Sequence, residues 1–251
     1  VLVIAEACNP EWVSVPLVGW SHYEALREVA DTHLVTQVRN RAAMLRAGLV
    51  EGEDFTAIDS EKVMKPAWKV ADLVAGKGKG WTIRQAAAAA AYPYFERLLW
   101  KQFKKRLAAG EFNLVHQLTP LSPTNSPATA KRCAKLGVPF VWGPLNGGAP
   151  WPEAFKREQR KEREWLASVR SAYKLLPGYQ SARRHATAII CGSRHTLNEM
   201  PAEARGRCVY LPENGIDPKR FSVTRTRTAG EGPIRLVSIG RLVPYKGPDM
   251  A

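Results

Sequence analysis

Short apolar, β-branched runs recur along the chain at residues 1–7, 33–38, 55–58, 113–118, 138–142, 187–191, 208–211 and 234–239. Most are too short for helices and are bounded by Gly, Pro, Asn or Asp, so each predicts a strand. Stretches of helical period separate them. Phe95, Leu99, Phe103 and Leu107 repeat at i, i+4, and Trp165, Val169, Tyr173 and Leu176 form a second stripe. That spacing puts each set on one helix face. Strands of buried type alternating with helices predict an α/β protein with a mainly parallel sheet.

Two stretches break the pattern. Residues 75–80, AGKGKG, read as a flexible loop, and residues 222–233, SVTRTRTAGEGP, as a linker between domains. A new strand, IRLVSIG, follows the linker, and Pro248 and Asp249 resemble the first turn of a helix. The expected organisation is one domain over 1–221, a linker over 222–233 and the opening of a second domain over 234–251. Val1 begins inside an apolar run and the chain stops after PDMA, so both ends are read as cut.

Composition narrows the class. With 45% hydrophobic and 24% charged residues, the 251-residue chain is expected to be globular rather than disordered. No apolar run approaches the roughly 20 residues of a membrane span, and no secretory leader is visible, so a cytoplasmic protein is expected. Cys8, Cys133, Cys191 and Cys208 have no metal-ligand spacing, and reduced thiols are expected. The five histidines form no metal pattern, and no metal is expected.

A net charge of +14 points to an anionic partner: nucleic acid, acidic lipid or a phosphorylated small molecule. Residues 151–185 alone hold nine Lys/Arg against four Glu. No RNP motif, zinc finger or helix-turn-helix accompanies the charge, so nucleic acid is not the expected partner. The helix from Phe95 to Leu107 sets Arg97, Lys101, Lys104 and Lys105 away from its apolar stripe, which would suit peripheral contact with an anionic membrane.

Ligands of doubly wound folds bind beyond the carboxyl ends of the strands. In the first such loop, Gly19 stands before a helix that Ser21 would cap, where backbone amides could approach a phosphate or sugar. His116 lies in NLVHQLTP, near a strand's carboxyl end. In GPLNGGAP, Asn146, Gly147 and Gly148 could bring amides to a polar ligand. Asn214-Gly215 signals a turn. In GRLVPYKG, Arg241 and Lys246 stand five apart between Gly240 and Gly247, where they could clamp a diphosphate. This is no Walker A loop: Tyr245 replaces the glycine before Lys246, and Gly247 stands where Ser or Thr should.

Taken together, ENGIDPKRF, the linker and IRLVSIGRLVPYKG resemble the domain junction of GT4-type retaining glycosyltransferases of the GT-B fold. GVPFVWGPLNGG resembles that family's strand and loop beside the acceptor, TAIICGSRHTLNEM its strand ending in Ser (here Ser193), and NLVHQLTP its strand bearing His (here His116). The resemblance implies a Rossmann-like doubly wound parallel sheet, followed by a second, truncated Rossmann-like domain. It implies sugar transfer with retention from a nucleotide-diphosphate donor to a glycan or lipid-linked acceptor, without metal or cofactor, at the inner face of the membrane or in the cytoplasm. Gly240, Arg241 and Lys246 would hold the donor diphosphate, while Gly19, His116, Asn146, Gly147 and Gly148 would belong to the acceptor or phosphate loops. The family's paired glycines in the first loop are Gly19 and Trp20 here. Pro144, Leu145 and Asn146 stand where many members carry a catalytic His, so no catalytic residue is assigned. The family's Glu-rich donor motif would lie beyond Ala251, which implies that this fragment alone is inactive. The alternative is a non-enzymatic basic α/β module that binds nucleic acid or another polyanion.

Overall fold

The computed structural model describes residues 1–75, 81–148, 153–155, 173–175 and 178–216, with single residues 222, 237 and 239. The expected linker (except Ser222), most of the stub at 234–251, most of the second helical stripe and the AGKGKG loop beyond Ala75 lie outside the described residues. So do Gly240, Arg241 and Lys246.

Among the described residues, seven strands form one sheet: β1 (Leu2–Ala5), β2 (His33–Gln37), β3 (Phe55–Ile58), β4 (Val115–Thr119), β5 (Phe140–Leu145), β6 (Ala188–Cys191) and β7 (Cys208–Tyr210). Their order is β3-β2-β1-β4-β5-β6-β7, and every pairing is parallel. This is the Rossmann-like, doubly wound order with one added edge strand. Seven of the eight expected strands are present within a few residues of their predicted bounds, and the eighth, 234–239, lies almost wholly outside the described residues.

The α-helices among the described residues are α1 (Val15–Arg27), α2 (Arg41–Arg46), α3 (Glu61–Ala75), α4 (Trp81–Ala108), α5 (Ala128–Lys135), α6 (Gly178–His185), α7 (Arg194–Asn198) and α8 (Ala202–Arg205). They divide between the two faces of the sheet, and strand alternation supplies an apolar set to each. Leu2, Ile4 and Val115 face a core built with Phe95, Leu99, Phe103 and Leu107 of α4, together with α5 and α6. Val3, Ala5 and Leu118 face the other core, with Tyr23 of α1 and Met44 of α2. The four α4 side chains are at most 1% exposed, as their spacing predicts.

Three local readings are corrected. The first helix begins at Val15, not after Ser21, with Pro16 in its first turn, where a missing N–H costs nothing. Gly19 is therefore inside α1. A Cβ there would stand 2.3 Å from the carbonyl oxygen of Ala7, so the glycine lets α1 lie directly against the end of β1. His116 is the second residue of β4, short of its carboxyl end. Asn214 and Gly215 lie in irregular chain beyond β7, just after a bend at Glu213, and form no hydrogen-bonded turn.

Helix α4 also reaches further than its stripe. It starts at Trp81 and runs through the alanine-rich segment and Pro93. Alanine loses least on entering a helix, so the run propagates without an apolar face of its own.

Candidate functional site

The chain reverses its direction of winding between β1 and β4. From β1 it passes through α1, on one face, to β2; from β4 it passes to α5, on the other. The loops leaving β1 and β4 therefore diverge, which opens a crevice at the carboxyl edge. A cavity of about 350 Å³ occupies this place. Glu6 and Ala7 border it from the loop after β1, Pro120 and Asn125 from the loop after β4, Met64 and Trp68 from α3, and Tyr92 and Phe95 from α4. Trp12, Arg39 and Asn40 complete the wall.

Its polar end is fixed by a network around Glu6. Arg39 Nη2 donates to Glu6 Oε1 at 3.2 Å, while Arg39 Nε donates to Gln37 Oε1 at 2.8 Å and lies 3.7 Å from Glu61. Gln37 Nε2 donates to Glu61 Oε1. Asn40 Nδ2 donates to the Glu6 carbonyl and to Thr36 Oγ1, both at 2.9 Å. Burial raises the Glu6 carboxyl above the ordinary range; Arg39 opposes this and Glu61 adds to it. Tyr92 is also a wall residue; its hydroxyl is buried and has no hydrogen-bond partner among the described residues. Burial first, then the carboxylates of Glu96 and Glu6, push its pKa well above that of a free phenol.

A second cluster lies further along the same edge, past β5 and β6. Gly143 adopts φ +129°, and a Cβ there would meet the Ile190 carbonyl oxygen at 2.2 Å, so only glycine lets β5 pass β6 at this point. The backbone N–H of Asn146 donates to Leu121 O at 2.8 Å. Its side chain donates to Glu213 Oε1 at 2.6 Å. His22 of α1 donates from Nε2 to the Glu213 carbonyl at 3.0 Å. Thr196 Oγ1 donates to the Gly147 carbonyl at 3.4 Å, and Ser193 caps α7 by accepting from Thr196 N at 3.2 Å. Gly147 and Gly148, at φ +129° and +81°, hold the loop in backbone conformations that side chains disfavour.

The sequence-predicted residues divide between these places. Asn146 and Gly147 join His22, Glu213 and Thr196, and Gly148 follows directly. Gly19 packs on Ala7, which borders the cavity. His116 is enclosed: its Nε2 donates to Gly143 O at 2.9 Å, and burial, more than nearby His22, lowers its pKa to about 4. The ring is neutral at physiological pH and serves to tie β4 to β5. Sequence reasoning missed Glu6, Arg39, Tyr92, His22 and Glu213. Glu6 had one available signal, its place directly after the first strand. Among the described residues, no group of three or more His, Cys, Asp or Glu is placed to hold a metal ion.

Compared with known families, curated proteins and solved structures, the chain shows no match to any family model, sequence or structure.

Proposed function

We infer that the protein is a retaining glycosyltransferase. It moves a sugar from a nucleotide-diphosphate donor to a glycan or lipid-linked acceptor, without metal, in the cytoplasm or at the inner face of the membrane. The observation that supports this best is the hydrogen bond from Asn146 Nδ2 to Glu213 Oε1. Glu213 opens the phrase that resembles the glycosyltransferase domain junction, and Asn146 stands in the phrase that resembles the acceptor loop. The contact joins them at the carboxyl edge of a doubly wound sheet, where ligands of such folds bind.

In this reading the acceptor lies against the described domain, and Arg241 and Lys246 hold the donor diphosphate. An acceptor oxygen bonds to the anomeric carbon as the bond from that carbon to the diphosphate oxygen breaks. The acceptor's proton passes to a phosphate oxygen on the same face. The two cations stabilise the charge that builds on the leaving diphosphate. That chemistry needs no pair of carboxylates of the kind retaining hydrolases use.

The test is binding of UDP- and GDP-sugars by the protein. Charge-assisted contacts to phosphate contribute about 1.5–3 kcal/mol each. Arg241→Ala and Lys246→Ala should therefore each weaken donor binding by roughly ten- to a hundredfold. Donor affinity unchanged in both variants would remove the diphosphate role and, with it, this reading.

A further inference from the structure

Two of the four cysteines meet on neighbouring strands. Cys191 ends β6 and is fully buried; Cys208 opens β7 and is half-buried. The strands run parallel, with Ile189 opposite Cys208 and Cys191 opposite Tyr210. Residues two apart along a strand share a face, so both thiols lie on the side of the sheet that packs against Ala182 of α6 and Ala204 of α8. There they stand within hydrogen-bonding reach of each other. Three arginines act on the pair: Arg183 of α6, Arg205 of α8 and Arg207, just before β7. Arg183 is 2% exposed and donates to the Tyr179 and Pro123 carbonyls. Arg205 and Arg207 also donate to backbone carbonyls. Among the described residues no carboxylate pairs with any of the three, so a thiolate is the anion that this cluster favours. The hydrogen bond from Cys191 brings the Cys208 pKa down to about 7, with burial opposing it and the arginines assisting. The same hydrogen bond, and then burial, keep Cys191 protonated. While it is a thiol, Cys208 donates to the Ala204 carbonyl at 3.3 Å. A half-exposed nucleophilic sulfur beside a buried thiol is the arrangement that exchanges with disulfides.

We propose that Cys191 and Cys208 form a reversible dithiol–disulfide pair that reacts with low-molecular-weight disulfides. The Cys208 thiolate attacks one sulfur of the small disulfide, whose S–S bond breaks, and the departing thiolate takes a proton from water. Cys191 then gives its proton to water and attacks Cys208 Sγ. That closes the protein disulfide and expels the second small thiolate, which is protonated in turn. Two protein thiols are oxidised, and one small disulfide is reduced to two thiols. Diagonal neighbours on adjacent strands have Cα atoms roughly 7–8 Å apart, just beyond the reach of about 6.8 Å that a relaxed disulfide has. Closing the bond therefore shifts Cys208 by about 1 Å. Strand β7 can supply this shift, because it is three residues long and an edge among the described residues. A bond closed under strain is readily reduced, which makes the pair reversible rather than a permanent staple. None of this rests on the glycosyltransferase reading.

The test equilibrates the whole chain with mixtures of reduced and oxidised glutathione, blocks free thiols with N-ethylmaleimide and maps the peptides by mass spectrometry. Oxidising mixtures should join Cys191 to Cys208, and reducing ones should return both thiols. The buried thiols of Cys8 and Cys133 should stay free throughout and serve as internal controls. Iodoacetamide at neutral pH should alkylate Cys208 about tenfold or more faster than Cys8 or Cys133. Arg207→Gln should slow that reaction, which simple exposure of the sulfur would not explain. Cys191→Ser should accumulate the mixed disulfide of Cys208 with glutathione, and Cys208→Ser should leave Cys191 unmodified. If either serine variant fails to fold, the map and the alkylation rates of the wild type decide alone. Three results would each overturn the proposal: no Cys191–Cys208 bond at any glutathione ratio, a wild-type adduct at Cys208 that never proceeds to that bond, or alkylation of Cys208 no faster than that of the buried thiols. Donor binding involves other residues and another ligand, so either reading can fail while the other stands.

Discussion

Single residues carry much of this fold's logic. Gly19 and His116 show how differently a residue type and its surroundings can speak. In the sequence Gly19 resembles a ligand loop; in the structure its missing Cβ makes room for the Ala7 carbonyl, a contact no local pattern reveals. His116 stands in a phrase that suggests chemistry, yet it is buried against Gly143 with its pKa lowered to about 4. That shift has a consequence for acid stability. In the unfolded chain the imidazole protonates near 6.5, whereas in the fold it stays neutral down to about 4. Between those values the unfolded state binds more protons, so stability falls as the pH falls through that window. The loss amounts to roughly 3 kcal/mol by about pH 4. His33, also lowered by burial, acts in the same direction. Glu6 acts in the opposite one, because its raised pKa favours the folded state as acid is added. Urea unfolding of the wild type and of His116→Gln between pH 7 and pH 4 separates these contributions. The variant keeps a donor for Gly143 but cannot titrate, so its stability should decline less steeply with acid. Parallel curves would mean that His116 titrates alike in both states.

At the scale of elements, legibility followed periodicity. The α4 stripe was readable because four large apolar residues recur on one face, and all four are buried. The first half of α4 was not, because alanines mark no face and Pro93 reads as a break. Strand β5 was read as ending at Trp142 because Gly143 and Pro144 look like a turn; it continues to Leu145 across the close approach to Ile190. The outer face of α4 carries a separate prediction. Arg97, Lys101, Lys104 and Lys105 are exposed, whereas Arg106 is drawn aside over Phe103 and Phe112 and paired with Glu111. Four side-chain cations on one helix face, with no ion-pair partner among the described residues, suit an anionic lipid surface, at about 1 kcal/mol per basic residue. Flotation with vesicles containing acidic lipid should carry the protein at low salt, and neutral vesicles should not. Replacing Lys101, Lys104 and Lys105 with glutamine should lower the partition coefficient by roughly a hundredfold. Equal flotation with neutral and acidic vesicles would exclude an electrostatic contact. Among the described residues no helix is long and apolar enough to cross a membrane, so any such contact made through them would be peripheral.

For the molecule as a whole, alternation of strands and helices was enough to read a parallel α/β sheet, because strands covered on both faces are apolar throughout. The cavity was not readable. Its walls come from residues as far apart as Glu6 and Asn125, and only the reversal of winding between β1 and β4 brings them together. The same strand order sets an expectation for stability across the molecule. Strand β1 lies between β2 and β4 with all four residues 0% exposed, and β4 lies between β1 and β5. Among the described residues β7 is an edge, with Val209 54% and Tyr210 40% exposed. Opening β7 exposes little new apolar surface, whereas opening β1 or β4 disrupts both cores at once. Native-state hydrogen exchange should therefore find the amides of β1, β4 and β5 opening only with global unfolding. Those of β7 should exchange by local fraying, faster by about two orders of magnitude or more. Uniform protection from β1 to β7 would show that the edge strand is covered in solution and shares the cooperativity of the centre.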